Sequence, residues 1–437
     1  MAIEDNASIA LIPSGYKSGK VYSVIPDDGD GDFTFSRSNT TATRVGASGL
    51  IENVSNNVPR LDYPLIDGVV QDCPALLLEP QRTNLFTQSE TFSNWSNSQS
   101  TETINSGISP DGSNTATKVK PTTSSSSWSG LNSPSLSITS GTAYTFSVFA
   151  KKDEYSYVQV GGSTPRFNGS FSTIDLSNGT VVYESGINAD VESYGNGWYR
   201  ISFTQTAISS GSGLAGFIAV YNYAPNSRLQ SFGGDGSSGI LVWGCQFEAG
   251  SYQTSYIPTS GSTATRSADV CNGSGTSAEF NDSEGVLFAE IAALSDTVDA
   301  NHSLSISDGG FSNTMYIYFG STDNKYGYAI FSGGSLVCNI RSNVANFSEY
   351  TKIAGKFKQN DFALWVDGFE VGVDTSGNTP SGLDSLQFDR GDGGSDFYGK
   401  TKQLMTFKTA LTDSELETLT SWDSFNAMAK GQLYTIE

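Results

Sequence analysis

Strict alternation of apolar and polar positions dominates the middle and the end of this chain. In AYTFSVFAK, Tyr144, Phe146 and Val148 share one side. In GWYRISFTQT, Tyr199, Ile201 and Phe203 oppose Arg200, Ser202 and Thr204; in TMYIYFG, Met315, Ile317 and Phe319 oppose Tyr316 and Tyr318. A period of two places one face of a strand in a core. The same period in ILVWGCQFEAG puts Leu241, Trp243, Cys245 and Phe247 on one face. Asn178-Gly179 and Asp367-Gly368 each separate two strand-like runs, and both dipeptides suit the positive φ of a tight hairpin turn. One persuasive helical pattern occurs, in LTDSELETLTSW, where Thr412-x-x-Glu415 forms a capping box and Leu416 and Leu419 share a face. These elements predict an all-β chain: two antiparallel β-sandwich (jelly-roll) domains in series after an extended, irregular N-terminal segment, with one short C-terminal helix. Residues 1–85 hold few long alternating runs and form the N-terminal segment. Residues 86–268 hold one dense set of strands, and residues 269–437 hold the second set and the helix, after a Gly/Ser-rich joint.

Composition narrows the partners. The 437 residues suggest two or three domains. Asp and Glu number 45 against 24 Lys and Arg, a formal net charge of −21, which disfavours nucleic acid and acidic membrane surfaces because phosphate binding needs clustered cations. Aromatic residues reach 12%, too many for a disordered chain. No apolar run approaches the roughly 18 residues of a membrane span. The start, MAIEDNASIALIPSG, lacks the basic n-region of a secretory signal, so an extracellular role implies another exit, such as lysis. Cys73, Cys245, Cys271 and Cys338 form no C-x-x-C and are too few for a disulfide scaffold. Cys245 reads as a small buried hydrophobe, with a bridge to Cys271 left open.

Catalytic chemistry finds little footing. Asp28-x-Asp30-x-Asp32 resembles the start of a calcium loop, but an EF-hand needs Gly at the sixth place and Glu at the twelfth, where Phe33 and Asn39 stand. A solvated Asp/Gly turn is the better reading. His302 is the chain's single histidine, so any Ser–His–Asp triad would depend on it, and its setting in DANHSLSIS suits a structural role. Neither a G-x-S-x-G elbow nor a P-loop occurs. Glycoside hydrolysis needs two carboxylates at a fixed separation. Glu279, Asp282 and Glu284 cluster before the first firm strand of their domain, and Asp389, Asp392 and Asp396 cluster in FDRGDGGSDF. Both read as solvated loops, the second at most as a structural calcium site. No cofactor is otherwise implied. Arg390-Gly391-Asp392 reads as a chance tripeptide.

Binding is better supported. Sugar rings stack on aromatic faces while nearby polar groups read the hydroxyls. Trp128, Tyr155, Tyr157, Trp198 and Tyr223 are the candidates in the middle region and Trp365 in the third; Trp128, inside TTSSSSWSG, is expected to be the most exposed.

A longer string of motifs carries a family resemblance. Gly31-Asp32-Phe33-Thr34-Phe35-Ser36-Arg37 is followed by Ala42-Thr43-Arg44, Gly49-Leu50-Ile51-Glu52, Pro59-Arg60-Leu61-Asp62-Tyr63, Cys73-Pro74 and the run from Leu76 to Leu85. This string resembles the N-terminal region of bacteriophage tail-fibre, tail-spike and head-spike fibre proteins. Tyr144 to Lys151, Asn196 to Arg200 and Trp243 to Gly250, closed by Tyr256-Ile257-Pro258-Thr259, resemble the carbohydrate-binding-module-like jelly roll found in such proteins. Trp365-Val366-Asp367-Gly368 and Phe407 to Leu416 are similar to a laminin-G/concanavalin-like sandwich. The resemblance implies a non-enzymatic virion structural protein, a tail fibre or spike, assembled in the host cytoplasm and released by lysis. It further implies a homotrimer, with other virion proteins held through the N-terminal region and a host cell-surface polysaccharide bound by the sandwiches. The rival implications are a head spike, decoration or connector component without a receptor, and a spike with polysaccharide depolymerase activity.

Thr41-Ala42-Thr43-Arg44 returns as Thr263-Ala264-Thr265-Arg266. Each copy is expected to be a connector at one end of a jelly roll, with its arginine pinning a carboxylate or backbone carbonyls.

Overall fold

A computed structural model describes residues 3–38, 42–296, 298, 300–322, 324–342 and 346–422. Among the described residues the chain is all-β, its main sheets antiparallel and stacked as sandwiches, with one short α-helix, Asp413–Thr420.

The middle sandwich stacks two six-stranded sheets. One runs Ser96–Ser98, Gly130–Asn132, Gly216–Tyr221, Tyr157–Gly162, Phe171–Asp175, Thr180–Ser185; the other runs Ser100–Thr103, Thr117–Pro121, Ile240–Ala249, Ala143–Lys152, Trp198–Thr206, Asp190–Ser193. Phe146, Val148, Ile201 and Phe203 face the core between them, as alternation requires. The Ile240–Ala249 strand departs from simple alternation. Gly244 adopts φ +60°, and the pairing with Ala143–Lys152 shifts register between Ser147 and Phe149. This bulge turns Leu241 and Trp243 to the outer face while Ile240, Val242, Cys245 and Phe247 face inward. The expected shared face of Leu241, Trp243, Cys245 and Phe247 is therefore split in two.

The distal sandwich stacks a five-stranded sheet, Ser335–Arg341 to Ser385–Gln387, on an eight-stranded one. The larger sheet is completed from the far end of the sequence. Ile9–Leu11 and Ala75–Leu78 both pair with Gly399–Phe407, and Arg60–Asp62 pairs with Ala75–Leu78. Phe33–Ser36 likewise pairs with Val270–Asn272. The N-terminal segment is thus a set of short strands and loops built largely onto the distal sandwich. Strands of three or four residues, such as Ala75–Leu78, are buried on both faces and leave no alternating signature.

The two hairpin dipeptides behave differently. Asp367 and Gly368 both take positive φ, 47° and 84°, and join Asp361–Val366 to Phe369–Asp374 by a two-residue turn. At Asn178-Gly179 only the glycine is at positive φ. There the loop is widened to four residues, because Asp175 accepts from the Ser177 amide at 2.8 Å and starts the turn early. The helix carries the expected capping box, and Leu416 and Leu419 pack with Trp365, Phe288 and Met405 on the outer face of the larger sheet.

All four cysteines are free; Cys245 lies in the middle core and Cys271 in the distal one, so no bridge joins them. No helix among the described residues is long and apolar enough to cross a membrane.

Entry to and exit from the middle sandwich are clipped together. Arg82–Asn84 pairs with Ala264–Arg266, and Asn84 donates to the carbonyls of Cys245 and Ile257 at 3.1 and 2.9 Å. Beside this clip lies a fully buried ion cluster. Arg37 reaches Asp269 at 2.9 Å, Arg60 bridges Asp269 and Glu79, and Arg266 reaches Glu79 at 2.9 Å. Glu79 also accepts from the Ser255 amide and hydroxyl at 2.7 and 2.6 Å, and Asp269 accepts from the Glu79 amide at 2.9 Å. Burial alone would raise the Glu79 carboxyl; Arg266 and Arg60 outweigh it and hold the group far below the usual carboxylate range. The second Thr-Ala-Thr-Arg thus acts as expected, its arginine pinning a carboxylate and the Pro80 carbonyl at 2.8 Å. Arg44 of the first copy also pins a carboxylate, Glu52 at 3.3 Å, but within a two-stranded hairpin rather than in a connector.

Asp269→Ala leaves Arg37 and Arg60 buried without their shared counter-charge and is expected to cost about 3–5 kcal/mol in denaturant unfolding. Lys118→Ala, which loses only the partly exposed pairs to Asp153 and Glu154, is expected to cost under about 1 kcal/mol. Because Glu79 has a depressed folded pKa, its stabilisation is present above the ordinary carboxylate range and is lost as pH falls toward the lower folded value. Glu79→Gln should therefore flatten the acid limb of a stability-against-pH curve; an unchanged acid limb would contradict the assignment.

Candidate functional site

The outer face of the sheet ending in Asp190–Ser193 is partly roofed. Phe149, Trp198, Leu241, Trp243 and Tyr256 form a small core there with Ile51 from the N-terminal segment. Beyond this cover the face opens into a cleft of about 1140 Å³. One wall is Asp190–Ser193 with Tyr194, Tyr199 and Arg200; another is the N-terminal segment from Thr43 to Asp67 with Glu79. The loop from Ser251 to Tyr256 and the distal residues Ala293–Asp296, Ser348, Tyr350 and Lys400 close it. At its rim the N-terminal hairpin meets the middle sandwich backbone to backbone. A Cβ on Gly68 would lie 2.5 Å from the Gly195 nitrogen, and one on Gly195 2.6 Å from the Gly68 carbonyl, so both positions need glycine.

Asp190 and Glu192 sit two residues apart on one edge strand and reach the water of the cleft. Confinement in the cleft thins the hydration of both and raises both carboxyls; repulsion from Asp190 raises Glu192 further, while Arg200 works against the shift. Gln253 donates to Glu192 at 3.0 Å. Arg200 is held from beneath: its guanidinium lies over the Phe149 ring at 5.3 Å and donates to Ser147 Oγ and the Thr254 carbonyl at 3.2 and 2.8 Å. Burial works against the Lys400 ammonium, but Asp62, at 3.4 Å, and Glu192 outweigh it and raise its pKa. Tyr350 is 1% exposed, and its hydroxyl has no hydrogen-bond partner among the described residues. Desolvation raises this phenol, and Asp62 and Glu290 raise it further. The cleft therefore offers carboxylate acceptors, tyrosine rings, the amides of Asn178, Asn188 and Gln253 and the cations Arg44, Arg200 and Lys400 within one enclosure, the equipment for holding a polyhydroxylated ligand.

The aromatic candidates fare unevenly. Trp198 is 2% exposed and donates its indole N–H to the Ile108 carbonyl at 3.0 Å; it is a packing residue. Trp365 lies beneath the helix, and Tyr155 is buried against Phe232. None of these three can offer a ring face to a sugar, which corrects their assignment as binding residues. Trp128 is half-buried against Phe217 rather than the most exposed, and Tyr157 is half-buried. Tyr223 alone of the set is exposed, at 41%, with its edge on Tyr221 and Phe232. The structure brings Tyr155 and Tyr223 together around Phe232, on the middle sandwich and away from the cleft lining.

The aspartates proposed for calcium are each committed elsewhere. Asp389 accepts from the Gly391 amide and Asn272, Asp392 pairs with Arg390 at 2.7 Å, and Asp396 accepts from the Tyr398 hydroxyl at 3.1 Å. No group of three or more His, Cys, Asp or Glu among the described residues is placed to hold a metal ion, so the calcium reading of Asp389, Asp392 and Asp396 is withdrawn. Asp282 accepts from the Gly382 and Leu383 amides and Glu279 from Thr276, both as loop anchors. His302 is buried, its Nδ1 2.7 Å from the Asp396 carbonyl and its ring against Tyr398.

Sequence reasoning passed over Asp190, Glu192, Tyr252, Gln253, Tyr350 and Lys400. The Asp190-x-Glu192 spacing on a strand was a usable signal for two of them; the rest converge only through the fold.

No family model matches this chain, and no curated protein matches it. Among solved structures, the IT-sialidase CBM40 of Ruminococcus gnavus is similar over 34% of this chain and 94% of its own, at 15% identity and a TM-score of 0.29. The NanB sialidase of Streptococcus pneumoniae is similar over 35% of this chain and 28% of its own, at 13% identity and a TM-score of 0.29. A heptameric SAP-like pentraxin from Limulus polyphemus covers 32% of this chain and 71% of its own, at 12% identity and a TM-score of 0.26. At these values the likenesses have no bearing on what this chain binds.

Tyr350→Phe removes a buried hydroxyl with no hydrogen-bond partner among the described residues, so it should raise unfolding stability, by about 1 kcal/mol, rather than lower it. Trp198→Ala, which empties the small roofing core, should cost about 3–5 kcal/mol by the same measurement.

Proposed function

We propose that this chain is a bacteriophage virion protein, a tail fibre or spike, that recognises a host-surface glycan without cleaving it. The observation that carries the glycan part is the cleft: about 1140 Å³, walled by tyrosines, carboxylates, amides and three cations, and open to solvent. What supports the virion part is the N-terminal string of motifs, whose Arg37, Arg60 and Glu79 build the buried ion cluster behind the cleft. The exposed Ile12, Val24 and Val69 of the same segment are the positions left for a neighbour in the particle. Assembly as a homotrimer belongs to the same proposal; it would cover exposed edge positions such as Phe369, at 75%, and multiply a weak affinity by avidity. Host cytoplasm during assembly, and release by lysis, follow from this reading.

A depolymerase is the second reading, because Asp190 and Glu192 are two carboxyls with raised pKa in one cleft. One experiment separates the two. Purified chain is mixed with intact host cells before and after periodate oxidation, and the length of the cell polysaccharide is followed. Binding lost on oxidation, with polysaccharide length unchanged, is the expected result. Shortened polysaccharide favours the depolymerase, and undiminished binding after oxidation overturns glycan recognition.

A further inference from the structure

The outer face of the five-stranded distal sheet carries chemistry that the cleft does not use. Thr314–Gly320, Lys325–Ser332 and Ser335–Arg341 run side by side there, the last as the edge of the sheet. Met315, Ile317, Tyr326, Tyr328 and Ile330 turn into the core. Tyr316 and Tyr318 therefore stand on the other side, paired with Ala329 and Gly327, which are paired in turn with Asn339 and Arg341. The two small residues keep the middle strand low. Tyr318 lies across it: a Cβ on Gly327 would come 2.1 Å from the Tyr318 ring, and the Tyr318 hydroxyl donates to Asn339 Oδ1 at 3.2 Å. More rings continue this surface. Tyr316 is 5.4 Å from Tyr318 and lies within 14° of parallel to Phe331 at 6.4 Å, and Phe331 meets Phe311 at 4.3 Å. Phe311, Tyr316 and Phe331 are only half-buried, and Asn339 and Arg341 are exposed.

A guanidinium borders each end of this row of rings, Arg390 over Phe311 at 4.2 Å and Arg341 over Tyr318 at 5.7 Å. Arg390 is paired with Asp392 at 2.7 Å, Asp308 stands in the adjoining loop, and Lys325 lies on the same face as Gly327. Cations and carboxylates thus border the rings together, and neither sign dominates. Half-exposed rings edged by planar donors and acceptors suit a ligand with apolar C–H faces and a girdle of hydroxyls. A second copy of the chain is a poor match, because each copy brings a formal net charge of −21. Strand addition is disfavoured too: the pairing shifts between Ile330 and Phe331, so Val337 is an extra residue that bulges the edge. We propose that this face is a second glycan subsite, separate from the cleft, for an uncharged sugar whose ring lies on Tyr316 and Phe331 while Asn339, Arg341 and Arg390 read its hydroxyls. An acidic sugar gains little here, since Arg390 is already answered by Asp392.

This inference rests on the glycan reading, and its test separates the two. The full chain is titrated calorimetrically with tetramers of glucose, galactose, mannose and N-acetylglucosamine, and with the galacturonate tetramer. At least one uncharged tetramer is expected to bind, and Tyr316→Ala should weaken it by at least about tenfold. Tyr316→Phe keeps the ring and should stay within about threefold of the unaltered chain. Arg341→Ala, at an exposed position on an edge strand, should weaken binding several-fold and leave the unfolding midpoint unchanged. Binding of none of the uncharged tetramers, binding that survives both Tyr316→Ala and Arg341→Ala, or a galacturonate tetramer held about tenfold tighter than its galactose counterpart overturns the inference. Periodate-sensitive cell binding that Tyr316→Ala leaves undiminished overturns this inference alone; cell binding of the unaltered chain that is indifferent to periodate overturns the glycan reading beneath it.

Discussion

The architecture depends on five charges that have no access to water. Arg37 and Arg60 come from the N-terminal segment, Glu79 from the connector into the middle sandwich, and Arg266 and Asp269 from the connector out of it. Removing such groups from solvent is costly, and the cost is offset only when every partner is present in good geometry. The cluster therefore acts as a condition as much as a bond. It is satisfied only when the first 80 residues, both ends of the middle sandwich and the start of the distal one have all arrived. Burial lowers the arginines Arg37 and Arg266, whereas Arg60, between two carboxylates, is raised. The third arginine exceeds the two carboxylates, and the carbonyls of Ser55, Val58 and Pro80 take up the remaining donors.

That condition sets the shape of the cleft. The N-terminal segment gives three strands to the distal sheet and one hairpin to the rim of the middle sandwich, and the cluster lies between those commitments. The walls of the cleft belong to three stretches of chain far apart in sequence, so their spacing is only as fixed as the junction behind them. A binding site built this way needs no loop of its own to be ordered first, and preorganisation is where weak polar contacts gain their affinity.

Alternation in Ala143–Lys152, Trp198–Thr206 and Thr314–Gly320 was legible because each of these strands is long and faces a core on one side. The capping box at Thr412 and the Asp367-Gly368 turn were legible because their chemistry is local. Ile9–Leu11 and Ala75–Leu78 escaped notice because a strand of three or four residues buried on both faces has no period to show. Gly244 escaped because a bulge inverts a face without altering the apolar content of the strand. The aromatic candidates failed for a related reason: in a chain of stacked sheets an aromatic ring is as readily roofed as exposed, and Trp198 and Trp365 each gained a roof from a distant segment. The cleft residues were visible as residue types, but Glu192 and Lys400 are neighbours only through tertiary structure.

The central claim is that one buried junction makes the N-terminal segment and both sandwiches a single cooperative body. Scanning calorimetry of the full chain tests it most directly. The account predicts one unfolding transition, with calorimetric and van't Hoff enthalpies in agreement. Two separate transitions, with the ion-cluster variants shifting neither toward the other, would show that the sandwiches unfold independently and would contradict it.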